Sequence, residues 1–199
     1  MLTSTRQAET ARAARRDDYF ETPFGSGRLT LAGDLPLELE LPGPGIEPPV
    51  GCAPAKGRRP GAGTPSDTAA AGWIAGLEAY FAGEPVRFDL DVAAHCRARG
   101  LTAFETAVYR ALAAVPYGRA VSYRDLAHAA GRPNAYRAVG TAMSRNALPV
   151  ILPCHRVIKN DGTPGQYGDD PTWKSRLLEL EGVLEPGATK VQRAHGGRS

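Results

Sequence analysis

The residues of this chain most able to do chemistry are the neighbours Cys154 and His155, in the segment Pro-Cys-His-Arg-Val at 153–157. A thiol beside an imidazole combines a nucleophile with a nearby base. The apolar run 149–152 just before them predicts a buried strand that delivers the thiol. Adjacent Cys and His residues also occur as inert core side chains, so the rest of the chain must decide between these two interpretations.

Composition places the chain among ordinary globular proteins. It has 199 residues, of which 42% are hydrophobic and 23% charged. No segment reaches the roughly 18 consecutive apolar residues of a membrane helix, and no signal peptide is evident. We therefore expect a cytoplasmic protein and no membrane partner.

The three cysteines, Cys52, Cys96 and Cys154, are odd in number and widely spaced. Disulfide frameworks and zinc sites both use closely patterned, paired cysteines. We therefore expect neither of them, and no other cofactor.

Positive charge is concentrated in the second half of the chain. Residues 101–160 contain eight Lys or Arg and two acidic residues, whereas the first hundred contain 11 basic and 13 acidic residues. A local basic surface on a nearly neutral protein favours contact with phosphate groups. A solvated basic face would give the same pattern.

The elements that must position Cys154 divide the chain into two predicted domains. We expect a flexible tail over 1–18 and a small α/β domain over 19–98, with a Pro- and Gly-rich loop at 42–66. A second domain is predicted over 99–185, followed by a flexible tail over 186–199. The fold class is therefore α/β, of the α+β kind. Outside the helix pair described next, the pattern predicts a short strand and turn over 19–25 and 28–31 and an alternating strand over 35–41. It also predicts helices over 73–81, from the cap Thr102 to 115, and over 172–181.

Two short helices are predicted directly upstream of Cys154. Ser122 is expected to cap a helix over 123–130, and Asn134 to cap a second one over 135–145. Two such helices joined by a tight Gly-containing turn are typical of a DNA-binding helix-turn-helix, although any helical hairpin fits the pattern. A strand and turn beginning at Arg156 are typical of the wing that follows such a motif.

The second of these helices is rich in small residues, namely Ala135, Ala138, Gly140 and Thr141. Small side chains let a helix backbone approach its partner closely, which suits the narrow minor groove of DNA. Close packing against another helix would use the same residue types.

Several residues in register with Cys154 together resemble the O6-alkylguanine-DNA alkyltransferases, also called methylated-DNA–protein-cysteine methyltransferases. They are Tyr123, Arg137, Asn146, the 153–157 segment, Tyr167 and Glu181. The resemblance is close over 102–183 and weaker before residue 73. It implies a small N-terminal sheet domain, a C-terminal winged helix-turn-helix alkyltransferase domain, and a monomer that acts once on double-stranded DNA containing O6-alkylguanine.

The resemblance also implies a role for each catalytic residue. Cys154 takes the alkyl group irreversibly from a flipped guanine, while His155, a water molecule and Glu181 form the relay that activates the thiol. Asn146 stabilises the turn that positions Cys154. Tyr123 crowds the phosphate of the target nucleotide, and a hydroxyl near guanine N3 can protonate the departing base.

For DNA binding, the resemblance implies that Arg137 inserts into the space left by the flipped base, beside the small residues of its helix. The alkyl pocket is expected to include Val157, Tyr167, Gly168 and Asp169. Asp169 departs from the small or aromatic residues usual in the family. A carboxylate there is expected to disfavour bulky apolar adducts and to raise the pKa of the thiol.

Three other functions remain open. A non-catalytic lesion-binding protein would flag the alkylated base for other repair factors; Cys154 argues against it, whereas Asp169 leaves it open. A winged-helix transcription regulator would need a dimerisation segment, which the sequence does not show. A cysteine hydrolase would leave the helix-turn-helix unexplained.

Overall fold

The structure, a computed structural model, describes residues 15–43, 45–47, 65–168 and 170–191. It divides into two compact units. The first comprises the chain up to Thr102 together with Ala147–Ile151, and the second comprises Ala103–Asn146 and the chain from Leu152 onward. An antiparallel sheet in the first unit and a mainly helical second unit confirm the predicted mixed α and β fold.

The first unit is a three-stranded antiparallel sheet with two helices. The strands pair in the order β1-β2-β3, and two-residue turns connect them. The elements are β1 (Arg15–Thr22), β2 (Gly25–Ala32), β3 (Leu35–Glu40), α1 (Pro65–Phe81) and α2 (Val92–Ala98). Residues 15–18, which we expected in a flexible tail, thus begin β1, where they pair with β2.

Aromatic packing joins the sheet of the first unit to α1. The rings of Phe20 on β1 and Phe81 on α1 stack with centroids 5.9 Å apart, and both side chains are buried. Gly27 lies opposite Phe20 in the register of β1 and β2. A Cβ atom at Gly27 would lie 2.2 Å from the Phe20 ring, so this position requires glycine.

The second unit contains the helix pair and the Cys154 segment. Its elements are α3 (Ala103–Ala113), β4 (Val121–Ser122), α4 (Tyr123–Ala129), α5 (Tyr136–Ser144), a 3₁₀ helix (Cys154–Arg156), β5 (Val157–Ile158) and α6 (Thr172–Leu180). β4 and β5 pair in parallel, which brings the start of α4 beside the residues that follow the 3₁₀ helix. The hydroxyl of Tyr109 on α3 donates to the carbonyl of Ala142 on α5 at 2.9 Å.

The two helices of the predicted helix-turn-helix begin in different ways. The Ser122 side chain accepts from the Asp125 amide at 3.1 Å and the Asp125 carboxylate accepts from the Ser122 amide at 3.0 Å, so the predicted cap forms a full capping box. The cap predicted at Asn134 is wrong. Ala135 is the N-cap of α5 and makes no side-chain cap bond. Its amide donates to Arg132 O at 2.9 Å, which encloses Asn134 in a turn.

Two other predictions about local structure need correction. Residues 149–152 form turns and a bend instead of a strand, because Pro149 and Pro153 lack an amide donor and Val150 has φ 73°. Helix α2 was not predicted, although Asp91 accepts from the Ala94 amide at 2.8 Å and gives it an ordinary N-cap. Helix α1 begins eight residues before the predicted start at residue 73. None of the described helices is long and apolar enough to cross a membrane.

Candidate active site

Cys154 is the first residue of the 3₁₀ helix, at the point where the chain turns after Pro153. Because the chain forms a tight turn here and not an extended strand, Cys154 and its two successors do not alternate between opposite faces of a sheet. Cys154 is only 6% exposed. The nucleophile is therefore enclosed, and a reacting group must be brought to it within a confined space.

Asn146 holds this turn and contacts the thiol with the same amide group. Its Nδ2 donates to the carbonyl of Leu152 at 2.8 Å and to Sγ of Cys154 at 2.9 Å. A side-chain amide nitrogen carries two hydrogens, so it can make both bonds at once. The contact with Leu152 fixes the backbone before the 3₁₀ helix, and the contact with sulfur favours the charged thiolate.

The resting thiol is held mainly in its protonated form. Burial raises the pKa of Cys154, and a hydrogen bond from Asn146, the hydrogen bond with Tyr167 and the charge of Lys174 offset only part of this effect. Sγ lies 3.7 Å from the Tyr167 hydroxyl. A proton acceptor is therefore needed before the sulfur can act as a nucleophile.

His155 provides such an acceptor through its contact with Glu181. The Nε2 atom lies 2.7 Å from Glu181 Oε1, and both side chains are fully buried. Burial lowers the pKa of His155, and Glu181 only partly opposes this, so the ring is neutral at neutral pH. Nε2–H then donates to the carboxylate, and the buried Nδ1 carries the lone pair that can accept a proton.

Arg156 completes the group, and sequence reasoning assigned it no role. Its Nε donates to both oxygens of Glu181, at 3.1 and 2.9 Å, and its Nη2 donates to Oε1 at 2.9 Å. Its Nη1 donates to the Val115 carbonyl at 2.6 Å, and its guanidinium lies 5.8 Å from the ring centroid of Tyr117. We call Glu181, His155 and Arg156 the carboxylate cluster.

Glu181 is ionised in spite of its burial. Burial alone would raise its pKa, but hydrogen bonds from His155 and Arg156 outweigh that effect and lower the pKa to about 2. The backbone amide of Gly118 also donates to Oε2 at 3.1 Å. The carboxylate is thus anchored from three directions, which fixes the orientation of the imidazole.

Besides Asn146, three side chains interact with the sulfur by hydrogen bond or by charge, namely Tyr123, Tyr167 and Lys174. We call them, together with Cys154, the thiol box. Burial raises the pKa of Tyr123, with a further contribution from Cys154, so its hydroxyl keeps its proton and can donate it. Lys174 was not foreseen from the sequence. Its position three and four residues before the buried Leu177 and Leu178 is the signal that places it on the inner face of α6.

The outer face of α5 carries the residues predicted to contact DNA. Arg137, Ala138 and Thr141 are exposed, and Ala135 and Gly140 are half-buried. The opposite face, Val139, Ala142 and Met143, is buried. Arg137 lies with its guanidinium 5.9 Å from the ring centroid of the exposed Tyr136.

A cleft of about 410 Å³ opens between α5, the start of α4 and the residues after β5. Its lining comprises Ser122, Tyr123, Arg124, Tyr136, Gly140, Lys159 and Asn160. Lys159 and Arg124 are exposed cations here that sequence reasoning did not single out as site residues. Seven of the eight basic residues in 101–160 are exposed, and the exception is the buried Arg156.

The predicted alkyl pocket is only partly described. Tyr167 contacts the sulfur, and Gly168 follows with φ 48°. Val157 is fully buried in β5, where it pairs with Val121. Asp169 lies outside the described residues, so the effect expected of its carboxylate stays a prediction.

Comparisons with known proteins agree with one another. The family model of the 6-O-methylguanine DNA methyltransferase DNA-binding domain matches residues 103–183. A methylated-DNA–protein-cysteine methyltransferase of Mycobacterium bovis is 43% identical over 62% of this chain and 72% of its own length. The Methanosarcina barkeri protein of that name is 44% identical over 53% of this chain and 63% of its own length.

Solved structures extend the likeness across both units. The crystal structure of Mycobacterium tuberculosis O6-methylguanine methyltransferase matches 88% of this chain and 97% of its own chain, with a TM-score of 0.62 and 32% identity. The Mycobacterium tuberculosis OGT structure in complex with DNA matches 83% and 92%, with a TM-score of 0.60 and 34% identity. An enclosed Cys154 between a carboxylate-bound histidine and a helix-turn-helix, together with these matches, shows that the chain belongs to the methylated-DNA–protein-cysteine methyltransferase family.

Proposed function

We propose that this chain repairs DNA by direct transfer of an alkyl group, methyl above all, from O6 of guanine to Cys154. The observation that carries the proposal is the enclosed thiol, which accepts a hydrogen bond from Asn146 at 2.9 Å on the same unit as the helix-turn-helix. Because the thioether formed is stable, each molecule acts once and needs no cofactor. A monomer in the cytoplasm, or on the nucleoid of a prokaryote, is sufficient for this reaction.

The chemical step is a displacement at the alkyl carbon. The proton of the Cys154 thiol passes through a water molecule to Nδ1 of His155, whose imidazolium is stabilised by the Glu181 carboxylate. Sulfur then forms a bond to the alkyl carbon as the bond from carbon to O6 breaks. Guanine leaves as an anion and takes a proton from the Tyr123 hydroxyl, which regains one from the imidazolium through water, so the thiol hydrogen ends on guanine.

The exposed face of α5 supports the approach to DNA. Small side chains at Ala138 and Thr141 let the helix backbone come close to the minor groove, while the target nucleotide is rotated toward Cys154. Arg137 fills the space that the base leaves. Flipping costs a few kcal/mol of lost stacking, which phosphate contacts from the exposed basic residues and the inserted arginine offset.

The test follows a labelled methyl group. Duplex DNA that carries O6-methylguanine with a labelled methyl is incubated with the intact protein, Cys154→Ala and Cys96→Ala. We expect one label per molecule on the intact protein and on Cys96→Ala, whose changed thiol is buried in the first unit. Cys154→Ala should bind DNA and carry no label. Binding without transfer by the intact protein would contradict the proposal and favour a lesion-binding protein.

Arg137→Ala separates flipping from chemistry. Transfer from duplex DNA should slow at least tenfold, whereas transfer from the free base O6-benzylguanine should change by less than about twofold, because no base is flipped there. Arg110→Ala, on the exposed end of α3, is the charge-matched control. Equal losses with both substrates would contradict the role assigned to Arg137.

A further inference from the structure

Lys174 is the most unusual buried residue of the second unit. It is 1% exposed, although lysine is almost never fully buried without an anionic partner. Arg156, by comparison, is buried with a carboxylate beside it. Within residues 15–43, 45–47, 65–168 and 170–191, no Asp or Glu forms an ion pair with Lys174.

Two tyrosine rings take the place of a carboxylate. The Nζ atom lies 5.6 Å from the ring centroid of Tyr123 and 6.0 Å from that of Tyr167. Aromatic faces attract a cation, most strongly where water is excluded. They do not neutralise its charge, and among the described residues, which exclude Asp169, no carboxylate does so.

The same two tyrosines border Cys154. The Tyr167 hydroxyl lies 3.7 Å from Sγ, and the negative charge of the thiolate acts on Tyr123. The influence of Lys174 and Cys154 on each other is mutual. Burial lowers the pKa of Lys174 to about 8 while Cys154 opposes this, and Lys174 in turn helps to lower the pKa of Cys154.

We infer that Lys174 is a positioning residue for the transfer reaction: its buried ammonium is the counterion of the Cys154 thiolate, and alkylation of the sulfur removes that partner. The inference rests on the proposed function for its biological setting. The electrostatic argument itself depends only on the burial of Lys174 and on its position beside the tyrosines of the thiol box.

The inference gives the ammonium two states. Before transfer, the thiolate that forms at Cys154 balances the charge of Lys174. After transfer, the sulfur is a neutral thioether, and the rings of Tyr123 and Tyr167 remain beside the ammonium. The pKa of Lys174 then falls below its value of about 8 in the unmodified protein, and the spent protein releases a proton to water more readily.

A pH experiment on Lys174 must distinguish its titration from that of the other titratable groups around it. Among the described residues, the charged and titratable groups that interact with it are Cys154, His155, Tyr123, Tyr167 and Lys159. Lys159 acts in the same direction as burial, since its positive charge further lowers the pKa of Lys174. None of these groups changes in a Lys174 variant, so differences between such variants report Lys174 itself.

The first experiment measures the reactivity of the thiol without any DNA. Iodoacetamide labelling of Cys154 is followed by peptide mass spectrometry from about pH 6 to 10 in the intact protein, Lys174→Met, Lys174→Arg and the exposed control Lys190→Met. We expect Lys174→Met to need a higher pH, with labelling about tenfold slower at neutral pH and the same limiting rate at high pH. Lys174→Arg should keep the profile of the intact protein, since arginine retains the charge.

The outcomes separate three roles. An unchanged profile in Lys174→Met would overturn the inference. Equal loss in Lys174→Met and Lys174→Arg would show that the amine acts as a base, because arginine cannot give up its proton, and would also overturn it. Because iodoacetamide needs no lesion, failure of the repair function would leave these results interpretable.

A second measurement needs no variant. Alkylation of Cys154 in the intact protein should lower the pH at which Lys174 loses its proton, as followed by NMR of its ammonium or by the pH dependence of reductive methylation. An unchanged titration of Lys174 after alkylation would overturn the inference, whatever the behaviour of Lys174→Met.

Discussion

The carboxylate cluster and the thiol box meet in the 3₁₀ helix Cys154–Arg156, but they satisfy their buried charges differently. In the carboxylate cluster, Glu181 accepts hydrogen bonds from His155, Arg156 and a backbone amide. In the thiol box, the Lys174 ammonium lies near the rings of Tyr123 and Tyr167, and the neighbouring Cys154 thiol is protonated at rest. The first arrangement stabilises one geometry, and the second holds a charge whose partner appears only during the reaction.

The comparison predicts opposite effects on stability when charges are removed from the two groups. A charge taken from the carboxylate cluster leaves another one buried and uncompensated. A charge taken from the thiol box removes one that is poorly compensated already. Folding stability and alkyl transfer should therefore change together in the first group and in opposite directions in the second.

The largest effect is expected from Arg156→Met. This change removes the bonds to Glu181 and to the Val115 carbonyl, and leaves the carboxylate buried beside a neutral imidazole. Loss of one partner of a buried ion pair costs about 3–5 kcal/mol of the free energy of unfolding. Urea denaturation at pH 7 measures it, with the exposed Arg176→Met on α6 as control. A loss under 1 kcal/mol would show that the cluster is not a stabilising unit.

Glu181→Gln should cost about 3 kcal/mol at neutral pH, because the pKa of Glu181 falls from 4.5 in the unfolded chain to about 2 in the folded protein. A lowered carboxyl pKa stabilises the fold above the unfolded value and loses that effect as the pH falls through the folded one. The difference between Glu181→Gln and the intact protein should therefore shrink from about pH 4.5 to pH 2. Urea denaturation at several pH values checks this, and a difference that does not depend on pH would contradict it.

Lys174→Met is expected to act in the other direction. The fall in the pKa of Lys174 from 10.5 to about 8 corresponds to about 3 kcal/mol of destabilisation, and two cation–π contacts return roughly 1 kcal/mol each. The variant should thus be about 1–2 kcal/mol more stable at pH 7. The folded protein loses the lysine proton near pH 8 and the unfolded chain near 10.5, so the gain should disappear over that interval.

The decisive readout for Lys174→Met combines stability with rate. Higher stability with slower transfer from duplex DNA would show that the thiol box retains an unfavourable charge for its chemistry. A less stable variant would contradict the contrast between the two groups.

The sequence predicted the nucleophile and its histidine better than the charges that surround them. Cys154 and His155 are neighbours in the chain, and Ser122 with Asp125 is a local capping pattern, so short-range rules were sufficient. The pairing of Arg156 with Glu181 spans 25 residues, and only the folded chain brings them together. A helical pattern can place Lys174 on a buried face, but it cannot identify what faces it.

The wrong local predictions have the same origin. The apolar run 149–152 has the composition of a strand, yet its flanking prolines and the positive φ of Val150 turn the chain toward Cys154. Asparagine is a common N-cap residue, but Asn134 lies inside the turn that the hydrogen bond from the Ala135 amide to the Arg132 carbonyl closes, one residue before the N-cap of α5. At both places, turn geometry overrode a preference that was correct for the residue type alone.

The smallest effects should come from two matched changes, Tyr117→Phe and Tyr167→Phe, each of which removes one hydroxyl and keeps the ring. The Tyr117 hydroxyl donates to the Leu180 carbonyl at 3.0 Å, just before Glu181, and its ring lies beside Arg156. We expect a loss of about 1 kcal/mol in stability and no change in thiol reactivity. The Tyr167 hydroxyl lies 3.7 Å from Sγ of Cys154 and helps to lower the pKa of the thiol.

Tyr167→Phe should therefore slow iodoacetamide labelling of Cys154 at neutral pH by about two- to fivefold, since loss of this hydroxyl raises the pKa of the thiol, and should leave stability within about 0.5 kcal/mol. Each variant removes one tyrosine hydroxyl, in Tyr117→Phe beside the carboxylate cluster and in Tyr167→Phe within the thiol box. If Tyr117→Phe slowed labelling as much as Tyr167→Phe does, the carboxylate cluster would control the thiol as directly as the thiol box. That result would contradict the claim that the carboxylate cluster mainly stabilises the fold while the thiol box controls the reactivity of Cys154.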